Sequence, residues 1–259
     1  MGKVVEKIAI KRGHSVVGII NKEITDLNIS DADVAIDFSV PSAAENNIKH
    51  SLNNNIPIVS GTTGWLENFN RIKNLCINKN GSFLYAPNFS LGVNLFFELN
   101  QRLAKITASQ SCYDIKIEEI HHTQKKDNPS GTAIKLAETI IDHSRYKRWT
   151  VEESIEPNQI NIKSKRKKNA TGTHTVRYES EVDIIEINHS AKSRQGFGLG
   201  AVIAAEWLVG RKGVFSMKDV LKIQWLINPY KITLNTKTIN YVSTRMVLFW
   251  FISSTNPWF

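Results

Sequence analysis

The stretch EEIHHTQKKDNPSGTAIKLAE, residues 118–138, gathers most of the residue types in the chain that can carry out chemistry. His121 and His122 follow an apolar strand pattern, and Lys125 comes shortly after them. Histidine titrates near neutral pH, and both histidine and lysine serve as proton donors or acceptors in enzymes. The stretch therefore predicts a site of proton transfer.

A helix pattern begins within the same stretch, at Pro129-Ser130-Gly131-Thr132. The first amides of a helix lack acceptors within the helix and lie at the positive end of its dipole, so they attract anions. We expect Gly131 and Thr132 to form a seat for a carboxylate beside His121 and Lys125. The alternative interpretation is a polar strand-to-helix connection with ordinary surface cations.

A metal site is a weaker interpretation of the adjacent histidines His121 and His122. Adjacent residues of a strand point to opposite faces, and no cysteine completes a ligand set, so we predict no metal. The remaining histidines have no convergent partners in the sequence and are expected to be surface or structural residues. They are His14, His50, His143, His174 and His189.

Residues 1–90 alternate helical and strand patterns. Strands separated by helices predict a parallel, doubly wound sheet, in which ligands bind beyond the carboxyl ends of the strands. Polar loops at residues 37–40, 61–64 and 86–89 follow three of these strands. The predicted strands cover residues 16–20, 33–38, 56–60 and 82–86, and helices are predicted to begin near Met1, Pro41 and Trp65.

The pattern changes after residue 90. Two consecutive strand patterns, residues 173–180 and 182–189, have no helix between them, which favours a mixed or antiparallel sheet and hence a second domain. The helix pattern at residues 199–208 resumes the packing of the first half. We therefore predict an α/β fold with a first domain of residues 1–90 and 195–221, a second of residues 91–194, and an atypical tail of residues 222–259.

The chain of 259 residues carries a net charge of +9, and its positive excess has two local sources. One is the basic run at residues 163–168, and the other is the segment after Leu221. The run lies in a polar stretch and is expected to be a solvated loop. Nucleic-acid binding is a distant alternative, because no nucleic-acid reading motif accompanies the run.

Cys76 and Cys112 are too few for a disulfide scaffold, and they form no C-x-x-C pair. The N-terminal residues lack the apolar core of a signal peptide. The longest apolar run, residues 246–252, is shorter than the ~20 residues that a membrane-spanning helix needs. We therefore expect a cytoplasmic protein with no membrane partner.

Several motifs resemble, in the right order, those of the dihydrodipicolinate reductase family, which acts in lysine and diaminopimelate synthesis. The resemblance spans roughly residues 1–221, and its most specific part is the loop HHTQKKDNPSGTA. The other matching segments are VAIDFSVP, PIVSGTTGW, YAPNFSLGVN, GTHTV and EINHSAKSRQGFGLGAVIAAEWL.

The resemblance implies a Rossmann-type cofactor domain and a mixed α/β domain that binds the substrate and forms a homotetramer. It implies hydride transfer from NADPH or NADH to a cyclic imine dicarboxylate, giving tetrahydrodipicolinate with loss of water. It makes His121 and Lys125 the catalytic residues, and His122, Gly131 and Thr132 substrate-binding residues. The implied cofactor residues are Gly61, Thr62, Thr63, Ala86, Pro87, Asn88 and Phe89.

The sequence departs from the family pattern at both ends. In the family, a strand and a turn of the type G-x-x-G-x-M-G precede the first helix, and Met1-Gly2 resembles the end of that turn. We expect a misplaced start or a truncation that removes a central strand, and a tail from residue 222 that arose by read-through or a shifted frame. Two hypotheses remain: an active reductase, or a degenerate remnant that only binds or assembles.

The residues after the strand pattern VVGII bear on the choice of cofactor. Enzymes that prefer NAD place an acid there for the ribose hydroxyls, whereas a cation favours the 2′-phosphate of NADP. This chain has Asn21-Lys22, where the family often has an acid in place of Asn21. We expect Asn21 and Lys22 to contact the cofactor and to tolerate the phosphate.

We predict that the protein, with a strand and glycine turn restored before Met1, uses NADPH at least as well as NADH. Lys22→Ala should raise the KM for NADPH selectively, because it removes a cation from the 2′-phosphate. Steady-state kinetics with both cofactors checks this. A preference for NADH of about tenfold or more, roughly 1.4 kcal/mol, would contradict it.

Overall fold

The computed structural model describes residues 1–20, 29–152, 156, 158–222 and 243–250. The chain divides into two compact units. Unit 1 comprises Met1–Leu91 and Gln195–Phe259, and unit 2 comprises Gly92–Arg194.

The described helices and strands follow one another in a mostly alternating order through unit 1 and in a mixed order through unit 2. In chain order they are α1 (Gly2–Lys11), β1 (Ser15–Ile20), β2 (Val34–Phe38), α2 (Pro41–Asn53), β3 (Ile58–Ser60), a 3₁₀ turn (Leu66–Asn68), α3 (Phe69–Asn78), β4 (Ser82–Tyr85), α4 (Leu91–Thr107), β5 (Asp114–His121), α5 (Gly131–Ile141), β6 (Arg148–Thr150), β7 (Gln159–Arg166), β8 (Thr173–Glu179), β9 (Ile184–Ser190), α6 (Gln195–Leu208), β10 (Gly213–Phe215), α7 (Met217–Val220) and β11 (Arg245–Trp250).

Unit 1 is built on a six-stranded sheet in the order β1-β11-β2-β3-β4-β10, and all of its neighbouring strands are parallel. Helices α1 and α6 cover one face, where Val5, Ile36 and Ala204 share an apolar core. Helices α2 and α3 cover the other face, where Ile48 and Ile72 pack in a second core. Parallel strands covered on both faces confirm the predicted α/β class with a Rossmann-type sheet.

Strand β11 lies in the middle of this sheet, parallel to β1 on one side and to β2 on the other. Its side chains alternate between the two cores: Met246 and Leu248 belong to one, and Val247 and Phe249 to the other. A strand buried on both faces reads as a continuous apolar run, because neither face selects polar residues. The apolar run shows no alternation that would mark a strand, and in the described structure β11 occupies the central position between β1 and β2.

Polar contacts fix the register of β11 against its neighbours. The backbone nitrogen of Arg245 donates to Asp33 Oδ2 at 2.7 Å, and Asp33 N donates back to the Arg245 carbonyl at 2.8 Å. Thr244 N donates to Nδ1 of the buried His14 at 3.1 Å, while His14 Nε2 lies 2.7 Å from Glu206 Oε1 on α6. His14 is thus a structural residue, as expected, and it joins β11 to the packed body of unit 1.

Unit 2 contains a five-stranded mixed sheet in the order β6-β7-β5-β8-β9. Strands β6, β7 and β5 are parallel, and β8 runs antiparallel to both β5 and β9. Helices α4 and α5 bury Phe96, Leu136 and Ile140 against Ile117 and Ile162 of the sheet. This arrangement confirms the predicted mixed sheet.

The basic run at residues 163–168 is partly a strand and not a loop, so that expectation is wrong. In β7, Ile160 and Ile162 are buried, while Lys163 and Lys165 are exposed. The alternation places the lysines toward solvent on a strand that is otherwise anchored in the core. Of the helices in the described parts of the chain, none has both the length and the apolar character needed to cross a bilayer.

We predict that Leu248→Ala lowers the free energy of unfolding by about 2–5 kcal/mol, the usual cost of truncating a fully buried leucine. Leu248 is 1% exposed at the centre of the sheet. Urea denaturation followed by circular dichroism measures the change. The control is Leu66→Ala, since Leu66 is 48% exposed; equal effects of the two substitutions would mean that β11 does not pack in the sheet.

Candidate functional site

Strand β5 and helix α5 position the residues of the predicted proton-transfer site. His121 is the last residue of β5, opposite Arg166 of β7 in the parallel register. The side chain of Ser130 caps α5 by accepting a hydrogen bond from Ala133 N at 3.2 Å. Because a hydroxyl at this position satisfies one of the free amides, the helix begins at a defined residue.

A buried carboxylate, Glu119, joins these elements. It is fully buried, and its two oxygens lie 3.2 Å from the backbone nitrogen of Ser130. Its Oε1 also accepts from Ser164 Oγ at 2.7 Å and from an Arg166 guanidinium nitrogen at 3.3 Å. Glu119 therefore connects β5, β7 and the N-terminus of α5 within unit 2.

Two histidines lie against the other oxygen of Glu119. His121 Nδ1 is 3.2 Å from Oε2, and His174 Nε2 is 3.7 Å from it and 3.0 Å from Ser130 Oγ. The two imidazole rings meet edge to face, with centroids 4.9 Å apart. His121 and His174 come from neighbouring strands, β5 and β8, and both are buried.

Glu119 and His174 differ in their charge at neutral pH. Burial would raise the pKa of Glu119, but hydrogen bonds from His121, Ser130 and Ser164 outweigh it and lower that pKa. Burial, together with the nearby charge of His121, lowers the pKa of His174 to about 3. At neutral pH, Glu119 is therefore a carboxylate and His174 a neutral imidazole.

The remaining predicted residues of this stretch surround the cluster in unit 2. Lys125 Nζ pairs with Asp127 Oδ1 at 2.8 Å, a partner that the sequence did not indicate. Burial and the positive charges of Arg194 and His121 lower the pKa of His122. Gly131 is exposed and Thr132 half-buried at the first turn of α5, and no heavy atom outside the local chain lies within 4 Å of a β-carbon built on Gly131. The N-terminus of α5 is thus open at Gly131, and Glu119 links it to His121.

Glu119, His121 and His174 offer donor atoms that lie within 4.8 Å of one another, a spacing that a metal ion could use. However, hydrogen bonds already occupy the carboxylate oxygens, and the Arg166 cation lies 3.3 Å from one of them. A bound cation would have to displace or repel that guanidinium. The donor set therefore favours a hydrogen-bonded ion cluster over a metal centre.

In unit 1, the loops predicted to line a cofactor lie at the carboxyl ends of β2, β3 and β4, along one edge of the sheet. Buried Asp37 holds two of these loops together. Its Oδ2 accepts from Ser60 Oγ at 2.8 Å and from Thr62 Oγ1 at 2.7 Å, and its Oδ1 accepts from Ser39 Oγ at 2.6 Å. Burial raises the pKa of Asp37, although these hydrogen bonds oppose the shift.

The predicted cofactor residues divide into supporting and exposed groups. Gly61 packs so closely on Phe38 that a β-carbon there would overlap the ring, and Gly200 of α6 is in similar contact with the Phe89 carbonyl. Thr62, Ala86 and Phe89 are buried and shape the loops, whereas Thr63, Pro87 and Asn88 are exposed or half-buried. Asn21 and Lys22 lie outside the described residues.

Glu119, Ser164, Arg166 and His174 were not predicted as site residues. The spacing Glu119-x-His121 indicates that the two side chains lie on one face of the strand, because residues two apart on a strand share a face. Arg166 and His174 reach the site only through strand pairing between distant segments, and the histidine in particular had no partner nearby in the sequence.

A parallel sheet with polar loops gathered at the carboxyl ends of its strands is typical of nucleotide-binding proteins of the Rossmann type. Unit 1 places this chain in that class, and unit 2 adds a mixed sheet with a cluster of proton-carrying side chains.

Comparison with known proteins identifies the family. The model for dihydrodipicolinate reductase, N-terminus, matches residues 1–89, and that for dihydrodipicolinate reductase, C-terminus, matches residues 92–221. The chain therefore belongs to the dihydrodipicolinate reductase family.

Individual relatives agree with this assignment. The chain is 52% identical to the 4-hydroxy-tetrahydrodipicolinate reductase of Christiangramia forsetii, over 85% of this chain and 93% of that protein. It is 36% identical to the same-named protein of Caldanaerobacter subterraneus subsp. tengcongensis, over 86% of this chain and 94% of the relative. The fold is similar to that of dipicolinate-bound dihydrodipicolinate reductase from Paenisporosarcina sp. TG-14, with a TM-score of 0.66, 22% identity, and coverage of 83% of this chain and 94% of that one.

We predict that Ser130→Ala lowers the free energy of unfolding by about 0.5–2 kcal/mol, because it removes the cap of α5. It also removes the hydroxyl that lies 3.0 Å from His174 Nε2. Thermal or urea denaturation measures the loss, with the exposed Ser109→Ala as the matched control. An unchanged stability would show that the hydroxyl does not cap the helix in solution.

Proposed function

We propose that this chain catalyses the NAD(P)H-dependent reduction of 4-hydroxy-tetrahydrodipicolinate to tetrahydrodipicolinate, with loss of water, in lysine and diaminopimelate synthesis. The observation that carries the proposal is the open N-terminus of α5 beside the proton-carrying side chains of His121 and Lys125. The names of the relatives and membership of the family support the same reaction.

The substrate is a dianion, and unit 2 offers complementary groups. The first amides of α5, at Gly131 and Thr132, lie at the positive end of an 11-residue helix and would bind one carboxylate. The Thr132 hydroxyl and His122 would add further donors. Anchoring a carboxylate in this way would orient the ring with respect to the proton-carrying groups.

His121 and Lys125 would handle the protons of the reaction. His121 is buried, and its Nδ1 lies 3.2 Å from the carboxylate of Glu119. Lys125 is paired with Asp127, and its side chain is 21% exposed. Reduction of the ring needs one proton in addition to the hydride, and a positioned imidazolium or ammonium group supplies it without drawing on free acid.

The loops at the carboxyl edge of unit 1 fit a nicotinamide dinucleotide, since this is the edge where such sheets bind their ligands. Thr63, Pro87 and Asn88 would contact the cofactor, while Gly61, Thr62, Ala86 and Phe89 hold the loops in place. The bound cofactor would supply the hydride. The choice between NADPH and NADH would rest with Asn21 and Lys22, which follow the strand pattern VVGII.

Assembly into a homotetramer in the cytoplasm is part of the same proposal. Strand β9 forms one edge of the unit 2 sheet, and Val182, Ile184 and Ile185 near its start are exposed. An apolar sheet edge of this kind is a natural surface for association with another copy. Sedimentation of the purified chain measures its assembly state.

We predict that His121→Ala and Lys125→Ala each lower kcat by about 10²–10⁴-fold, the usual contribution of general acid-base catalysis. The change follows from removing a proton carrier next to the substrate. Oxidation of NADPH, monitored in the presence of substrate, measures it, and Lys105→Ala on the exposed side of α4 is the matched control.

Full turnover in both variants would show that His121 and Lys125 are not catalytic residues. If the unmodified chain neither turns over substrate nor binds NADPH by fluorescence, the chain is instead a remnant without catalytic function, and the proposal fails.

A further inference from the structure

We propose that Glu119 is a positioning residue, which keeps a proton on Nδ1 of His121 and so makes Nε2 the nitrogen that exchanges a proton with the substrate. This inference rests on the proposed function, because it assigns a role within the same site. Glu119 does not itself touch the reacting atoms; it acts through His121.

The position of the two side chains leads to this assignment. Glu119 and His121 are two residues apart on β5, so they share one face of the strand. His121 Nδ1 lies 3.2 Å from Glu119 Oε2, an ion-pair distance at which carboxylate and imidazole attract each other, although the two groups are not aligned as in a hydrogen bond. The imidazole therefore directs one nitrogen to a carboxylate and the other away from it.

The Nε2 side of the ring lies next to Gly172. A β-carbon at this position would lie 3.1 Å from His121 Nε2, and the backbone φ of +146° is one that residues with side chains rarely adopt. Glycine thus leaves this side of the imidazole clear of a side chain. The arrangement gives the two nitrogens different tasks: Nδ1 is held, and Nε2 can react.

One partner of Glu119, the Ser130 amide, lies 3.2 Å from both oxygens, and the remaining partners divide between them. Ser164 and Arg166 donate to Oε1, at 2.7 Å and 3.3 Å. His174 is 3.7 Å from Oε2, but its Nε2 is closer to Ser130 Oγ, and it stays neutral at physiological pH. His121 is thus the basic group best placed to donate a proton to Oε2.

The bond between Nε2 of the His121 imidazolium and its proton breaks, and its electron pair returns to the ring. The proton bonds to the position of the substrate that becomes electron-rich when the hydride adds. The neutral imidazole that remains carries its proton on Nδ1, facing Glu119, as the carboxylate of a catalytic triad holds its histidine in one tautomer.

Glu119→Gln tests this role, because the network dictates how the amide must turn. Ser164 and Arg166 are donors to Oε1 and require an acceptor, and the Ser130 amide can donate there too, so the amide oxygen should occupy the Oε1 position. The amide NH₂ then faces Nδ1 of His121, which has to accept a hydrogen bond. The neutral ring must consequently move its proton to Nε2.

The measurements are proton–nitrogen correlation NMR of the full chain and steady-state kinetics. The His121 signals are assigned by their loss in His121→Ala. We expect the Nδ1–H tautomer in the unmodified chain and the Nε2–H tautomer in Glu119→Gln. We expect kcat to fall about 100-fold or more in Glu119→Gln with KM nearly unchanged, as for a lost acid-base contribution.

Glu118→Gln is the matched control. Glu118 is the preceding residue of the same strand, points to the other face and pairs with Lys165 at 2.6 Å. It should leave both the tautomer and kcat unchanged. An Nε2–H tautomer in the unmodified chain would overturn the inference without any variant, and so would a Glu119→Gln protein with unchanged tautomer and kcat.

The test also separates this inference from the proposed function. If His121→Ala keeps full turnover, the catalytic role of His121 fails, whatever its tautomer. If His121→Ala loses turnover while Glu119→Gln behaves like the unmodified chain, His121 is catalytic and only the positioning role of Glu119 is wrong.

Discussion

The site of unit 2 depends on one buried negative charge. A carboxylate without water is costly unless donors surround it, and Glu119 is fully buried. Its donors come from two separate elements: Ser130 at the start of α5, and Ser164 and Arg166 on β7. Satisfying this single group therefore brings α5, β7 and His121 together, and the open helix N-terminus is placed beside the histidine as a result.

Unit 1 contains a second buried acid at a strand end, but its electrostatic situation is the opposite. Asp37 is surrounded by neutral donors, including Ser39, Ser60 and Thr62, and its pKa is raised. Glu119 has a guanidinium and an imidazole among its partners, and its pKa is lowered. Neutral hydroxyls satisfy hydrogen bonds without offsetting the full cost of desolvation, whereas a nearby cation also favours the ionised form. Asp37 thus suits a structural task in shaping loops, and Glu119 suits a task that involves a protonated partner.

Much of the fold follows from local patterns in the sequence. Before residue 90, three features of the sequence indicate the strands and helices: apolar periodicity, Pro41 at the first turn of α2, and loops that contain glycine. Patterns of this kind did not identify Met246–Phe249, an apolar run whose neighbouring residues show no helical or strand period, or the charged half of β7 around Lys163 and Lys165. In both cases the pairing partners are distant in sequence, and only the assembled sheet makes the segment a strand.

The residues of the site likewise fall into those that the sequence indicates locally and those that only strand pairing brings in. His121, Lys125 and Thr132 lie within one short stretch, where their residue types and spacing already indicate proton transfer next to an anion seat. His174 and Arg166 enter through the pairing of β5 with β8 and β7. The proton-transfer residues can therefore be predicted from one short stretch of the sequence. The residues that surround Glu119 and His121 depend on how distant strands pair, which the sequence does not show directly.

The central place of β11 has a consequence for how the protein is made. Its register contact between Asp33 and Arg245 joins residues 212 positions apart in the chain. Ribosomes add about 5–20 residues per second, so roughly 10–40 s separate the synthesis of β2 from that of the strand that must lie beside it. During this interval β1 and β2 have no β11 between them, and unit 2, whose residues all emerge earlier, can fold first. Although unit 1 contains the N-terminus, its sheet has all of its described strands only after every residue of unit 2 has been synthesised.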